Sequence, residues 1–185
     1  MPGIRPTRAE LTAAADRTIP DLMADDLRLV LVGINPSLYS AWDGRHFARP
    51  GNRLWRTLAE SGLTPGLMHP ADQHELPGLG IGITNLVARA TARADELSAE
   101  EIRAGRPVLE ATVARHRVGV VAFLGLSSYR IAYDEPRAGV GPLTRDVAGA
   151  TGWLLPNPSG LNAHYQQPDL TRAYRELRQF LDRPT

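Results

Sequence analysis

The chain has 185 residues, 43% of them hydrophobic, which suffices for one full core and falls short of two. It contains no cysteine, which excludes disulfides, thiolate nucleophiles and thiolate metal sites, and all 21 basic residues are arginine. A formal net charge of +1 excludes a polybasic nucleic-acid coater, so any nucleic-acid contact must be local.

In chain order, residues 1–19 read as a loosely held N-terminal arm, with a short helix around Arg8 to Asp16. Residues 20–185 read as a single domain. A first strand is expected over Arg28 to Gly33, followed by a loop from Asn35 to Gly51 that is too long for a plain connector. A helix then begins near Asn52, with Leu54, Trp55 and Leu58 on its apolar face. A short helical piece near Pro70 to Leu76 precedes a second strand around Ile81 to Leu86. Ser98 and Glu101 have the capping-box spacing and open a helix to about Arg115, in which Pro107 predicts a kink or a break. Val118 to Leu124 is a valine-rich apolar run, expected as a central parallel strand. Ser127 to Tyr133 reads as a helix, Val147 to Leu155 as the last strand, and Asp169 to Asp182 as the closing helix. Strands alternating with helices predict an α/β fold: a three-layer sandwich whose short central parallel sheet of about four strands has helices on both faces.

Several motifs fail on context. Gly78-x-Gly80-x-Gly82 precedes a strand, where a dinucleotide fingerprint would follow one. His69 and His74 are off the i, i+4 spacing and lack a third ligand, so no metal is expected. Gly125-Leu126-Ser127-Ser128 lacks the second glycine of a nucleophile elbow. No apolar run reaches the roughly 18 residues of a membrane span, and Met1 to Arg8 lacks a signal-peptide core, so a cytoplasmic protein is expected; a monomer is expected as well. Arg45, Arg49, Arg53 and Arg56 cluster after the first strand and suggest local contacts. Arg172, Arg175 and Arg178 read as a solvated helix face.

Two apolar runs end in similar turns: Gly33-Ile34-Asn35-Pro36-Ser37 and Pro156-Asn157-Pro158-Ser159-Gly160-Leu161. The carboxyl ends of strands in an open α/β sheet are where ligands bind. Together with Phe47-Ala48-Arg49-Pro50-Gly51-Asn52-Arg53-Leu54-Trp55, these loops resemble the two active-site motifs of the mismatch-specific uracil-DNA glycosylase and thymine-DNA glycosylase family. The similarity spans roughly residues 27 to 181. It implies a monofunctional hydrolase of base excision repair, without cofactor, acting on duplex DNA that carries a mismatched or damaged pyrimidine.

The resemblance makes Asn35 the residue that holds the attacking water, with Asn157 supporting the water or a phosphate. Phe47 would stack on the flipped base, Ile34 to Ser37 would line its edge, and Asn85 would place an amide near the pocket. Leu161 would be the wedge that fills the vacated stack, while Ser159, Gly160 and Asn162 flank it towards the DNA phosphates. Two departures stand out. Asn162-Ala163-His164-Tyr165 follows the wedge, where relatives carry an arginine, which relaxes the expected preference for the opposite base. Asp43, in the loop after Asn35, is a candidate general base, or simply part of an Asp43-Gly44 turn. An N-glycosidase acting on free nucleosides and a non-catalytic lesion-binding module are the alternatives.

The absence of lysine bears on mechanism. Apart from the N-terminal amine, no group could form a Schiff base with an abasic sugar, so a β-elimination step is not expected.

Overall fold

Four short apolar runs pair in parallel at the centre of the computed structural model, which describes residues 5–183. They are β1 (Leu29–Gly33), β2 (Ile81–Asn85), β3 (Val120–Leu124) and β5 (Thr151–Leu155), joined at one edge by the two-residue β4 (Gly141–Pro142). The sheet order is β2-β1-β3-β5-β4, and β4 pairs antiparallel to β5. The sheet is therefore mixed and five-stranded, where about four parallel strands were expected.

Every residue of β1 and β3 is buried, as strands covered on both faces must be. Alternate residues feed two cores. Leu29, Leu31, Ala122 and Trp153 pack with α3 (Leu54–Ser61) and α6 (Gln167–Leu181). Val30, Val32, Val121 and Phe123 pack with α4 (Ala99–His116) and α5 (Leu126–Tyr133). Each large side chain so buried is worth roughly 1.5–3 kcal/mol.

Local signals place most boundaries. Ser98 and Glu101 form the expected capping box of α4, and the helix then runs through Pro107 without a break. On α3 the expected apolar residues Leu54, Trp55 and Leu58 are all buried. The last strand is shorter than expected. Val147 and Ala150 close a tight turn instead, with Ala148 and Gly149 at positive φ, before β5 begins at Thr151.

The expected long loop contains a helix, α2 (Leu38–Asp43), capped by the Ser37 hydroxyl at its start and by Gly44 in the left-handed conformation at its end. Nor is the described part of the N-terminal arm loose. It forms the capped helix α1 (Arg8–Thr12), and Ala14 is fully buried against Ala41 and Ala90. The arm's residues 1–4 lie outside the described residues. No helix among the described residues is long and apolar enough to cross a membrane.

Candidate active site

The chain leaves β1 towards β2 on one side and later crosses to β3 on the other, which makes the carboxyl end of β1 a topological switch point. A cleft of about 800 Å³ opens there. Its walls come from the ends of all four parallel strands: Gly33 to Ser37, Asn85, Leu124 to Ser127, and the loop carrying Asn157, Ser159, Leu161 and Asn162. The two Asn-Pro loops thus face one cavity, within the size range of small-molecule sites.

Asn35 is held there by two hydrogen bonds. Its Nδ2 donates to the Arg89 carbonyl at 3.0 Å and to Thr91 Oγ1 at 2.7 Å. Thr91 Oγ1 spends its own proton on the Arg93 carbonyl at 2.8 Å, so towards Asn35 it acts as an acceptor. Both amide hydrogens are therefore consumed and the amide orientation is fixed. Oδ1 accepts no hydrogen bond among the described residues and is left as a free acceptor at a cleft-lining position. The backbone is strapped to the same segment, with Thr91 N–H donating to the Pro36 carbonyl and Leu38 N–H to the Thr91 carbonyl.

Gly33 lets two more side chains approach. A Cβ there would lie 2.4 Å from Asn85 Oδ1 and 3.2 Å from Phe47 Cζ. The Asn85 amide makes no hydrogen bond among the described residues, so it offers both a donor and an acceptor at the cleft wall. Phe47 packs against the core and also lines the cleft, at a φ of 51° that only a tightly determined site holds. Ile34 contributes apolar wall, while Ser37 is occupied as the α2 cap.

Next to Phe47, the buried His46 imidazole carries its proton on Nε2, which donates to the Pro20 carbonyl at 2.9 Å. Burial holds its pKa below the usual histidine range, against the Pro20 contact and the charge of Asp21, and keeps it neutral.

The second loop is built around Arg53. Its guanidinium donates to the carbonyls of Tyr165 (2.7 Å), Ser159 (2.6 Å), Asn162 (3.1 Å) and Pro158 (3.4 Å). Gly160 packs against Gly51, whose carbonyl oxygen would lie 2.5 Å from a Cβ at that position. Tyr174 in α6 donates to the Pro156 carbonyl. Asn157 turns its Oδ1 back to the Ser159 N–H at 2.8 Å, so the amide keeps a donor and no acceptor for the cleft. Asn162 spends one amide hydrogen on the Asn157 carbonyl and accepts from the His164 N–H, and its half-buried side chain lines the cleft. Leu161 stands at the apex, 71% exposed.

Asp43 is not brought to this cleft. It ends α2, and its carboxylate is paired with Arg45 at 3.1 Å. Of the suggestive arginines only Arg49 lines the cleft, with no ion pair among the described residues, since Arg45 pairs with Asp43, Arg56 with Glu60, and Arg53 holds the second loop. The one carboxylate among the described lining residues is Asp95, ion-paired with Arg93. Sequence reasoning missed Thr91, Arg89 and the strut role of Arg53. Thr91 and Arg89 lie more than fifty positions from Asn35, and no local pattern marks them.

Comparison with known proteins gives the family and the fold. A sequence model of the Uracil DNA glycosylase superfamily matches residues 20–180. Among solved structures, the chain is similar to the solution NMR structure of a candidate uracil DNA glycosylase from Methanosarcina acetivorans, with a TM-score of 0.58 and 17% identity over 88% of this chain and 98% of that one. At that identity the likeness is one of fold.

Proposed function

Because the chain belongs to the uracil DNA glycosylase superfamily, we propose that it excises uracil from mismatched duplex DNA by flipping the base into the cleft at the strand ends. The observation that carries this reading is the fixed amide of Asn35, which presents an acceptor and no donor.

Hydrolysis breaks the bond between deoxyribose C1′ and pyrimidine N1. The bonding pair leaves with the base, the sugar becomes oxocarbenium-like, and a water oxygen bonds to C1′ on the opposite face as its proton passes to solvent. Asn35 Oδ1 accepts from that water and aims it; an amide is far too weak a base to deprotonate it. With Asp95 tied to Arg93 and Asp43 paired with Arg45 outside the lining, no free carboxylate among the described lining residues replaces it. The site therefore depends on the leaving group, which favours uracil over cytosine. Asn85 supplies a donor for the charge that develops on the departing base, and Phe47 supplies a face for stacking.

Leu161 gives the reading its DNA component. An exposed leucine at the tip of a braced loop has no packing role in the free protein, and it suits a wedge that enters the base stack. A nucleoside hydrolase would need no such residue. Mispaired bases are cheapest to extrude, so the wedge and the weak pair together select mismatches.

Single-turnover excision from duplexes that vary the lesion and the opposite base, at fixed salt because phosphate contacts make affinity salt-dependent, tests the proposal. Uracil opposite guanine is excised faster than uracil opposite adenine, and Asn35→Ala loses the activity. Borohydride traps no internal protein–DNA adduct. Lack of excision from any uracil duplex, or an Asn35→Ala variant as fast as the parent, overturns it.

A further inference from the structure

Asn35 is oriented by a segment that is itself held from outside the cleft. The Arg89 carbonyl accepts from Asn35 Nδ2, while the Arg89 side chain points the other way, where its Nε donates to Glu101 at 2.6 Å. Its remaining nitrogens reach Asp16 and the Glu96 carbonyl, each at 3.4 Å. Glu101 is the capping residue at the start of α4, fixed by the Ser98 N–H at 2.9 Å. Asp16 belongs to the N-terminal arm, whose backbone also brackets the next residue: Asp16 N–H donates to the Ala90 carbonyl, and Ala90 N–H to the Arg17 carbonyl.

From this arrangement we infer that Arg89 is a positioning residue for excision: clamped by Glu101 and the N-terminal arm, its backbone carbonyl sets the amide of Asn35. The inference rests on the reading of Asn35 as the residue that holds water. It adds that segment 89–91, the cap of α4 and arm residues preceding the matched region 20–180 form part of the working site. Hydrogen bonds from Arg89 and Ser98 hold the Glu101 carboxyl at about 2, so the clamp stays charged throughout the neutral range.

A side chain that only braced the fold would change melting temperature and excision together. A positioning role separates them. Arg89→Gln and Glu101→Gln are each expected to slow single-turnover excision of uracil about tenfold. Binding to a duplex carrying uncleavable 2′-fluorodeoxyuridine stays within twofold. Because both variants break one contact, the double variant is no slower than the slower single. Arg89→Lys, which keeps one donor for Glu101, recovers part of the rate. In each slow variant the Asn35 side-chain amide resonance, assigned by its loss in Asn35→Asp, shifts. Parental rates and an unmoved resonance in both glutamine variants, with Asn35→Ala inactive, overturn this inference alone. An active Asn35→Ala overturns the reading on which it rests. If Arg89→Gln does not fold, Glu101→Gln decides.

Discussion

Gly33→Ala separates the stability of the fold from the geometry of the site. The added Cβ would fall 2.4 Å from Asn85 Oδ1, whereas carbon–oxygen contacts settle at about 3.3–3.6 Å, so the amide must retreat by about 1 Å. Gly33 is not in the left-handed region, and alanine brings no backbone strain. The atom that must move is the tip of a side chain at the cleft wall, with open space before it. Overpacking therefore costs about 1 kcal/mol, the low end of its range. For a chain of this size that is a fall in Tm of about 2–4 °C. Excision suffers more, because a displacement of about 1 Å in a positioning group can cost on the order of 10²-fold. Differential scanning calorimetry and single-turnover excision read the two quantities. Asn85→Ala in the Gly33→Ala background removes the closest clash, leaving the 3.2 Å approach to Phe47 Cζ, and restores most of the Tm while the rate stays low. A Gly33→Ala variant that excises uracil at the parental rate refutes the placement of Asn85 in the base pocket. A loss in Tm several times larger refutes the claim that the contact yields.

Other perturbations probe the remaining parts. Leu161→Ala leaves Tm within experimental error, since exposed substitutions are worth about ±0.5 kcal/mol, and slows excision from G·U duplexes at least tenfold; free deoxyuridine processed equally well by both proteins would count against a wedge. Asp43→Asn excises at the parental rate, because the carboxylate faces Arg45; a large loss would restore it as a base. Arg53→Met strips the second loop's carbonyls of their shared donor and lowers stability by about 2–4 kcal/mol, read as Tm, with weaker binding to uracil duplexes. His46 gives the pH signature. Its folded pKa lies below the unfolded one, so its contribution is complete above about pH 6.5 and is lost as pH falls through the folded value. Glu60 and Glu101, both held at about 2, begin to lose theirs only below the ordinary glutamate value of about 4.5, just under that window. Calorimetry from pH 8 to 5 should show a decline in Tm that His46→Gln flattens, since a glutamine amide can still donate to the Pro20 carbonyl.

The parts legible in the sequence are those fixed by local chemistry. Continuous apolar runs marked β1 and β3 because strands covered on both faces carry no polar alternation. Ser98 and Glu101 marked the start of α4, because a capping box lies within four residues. Both Asn-Pro loops were visible as turns at strand ends. What escaped notice depends on partners distant in sequence. β4 has two residues and no propensity of its own; it exists because β5 offers an edge. Pro107 looked like a helix breaker, yet α4 continues because packing of Ile102, Leu109 and Val113 outweighs a lost backbone bond. Arg53 resembled its neighbours in the arginine cluster. Nothing in one sequence distinguishes a guanidinium that faces solvent from one that gathers backbone carbonyls across more than a hundred positions.

On the proposed reading, that arginine also explains how a protein with a formal net charge of +1 would present an anion-binding edge without a basic patch. The described peptides are all trans, so where a carbonyl points inward the following N–H points outward. Arg53 draws in the carbonyls of Ser159 and Asn162, which turns the N–H groups of Gly160 and Ala163 away from it on either side of Leu161. The loop thereby turns those two N–H groups to the outside, backed by the half-buried guanidinium, at the place where the wedge would meet a phosphate backbone. The same device in reverse serves Asn35, whose donors are consumed by Arg89 and Thr91 so that only an acceptor remains. On the proposed reading, one loop is polarised to receive anions and the other to receive a water hydrogen. Each polarity is set by internal hydrogen bonds among groups that do not titrate near neutrality, so excision should depend weakly on pH there, even though stability declines as pH falls below about 6.5.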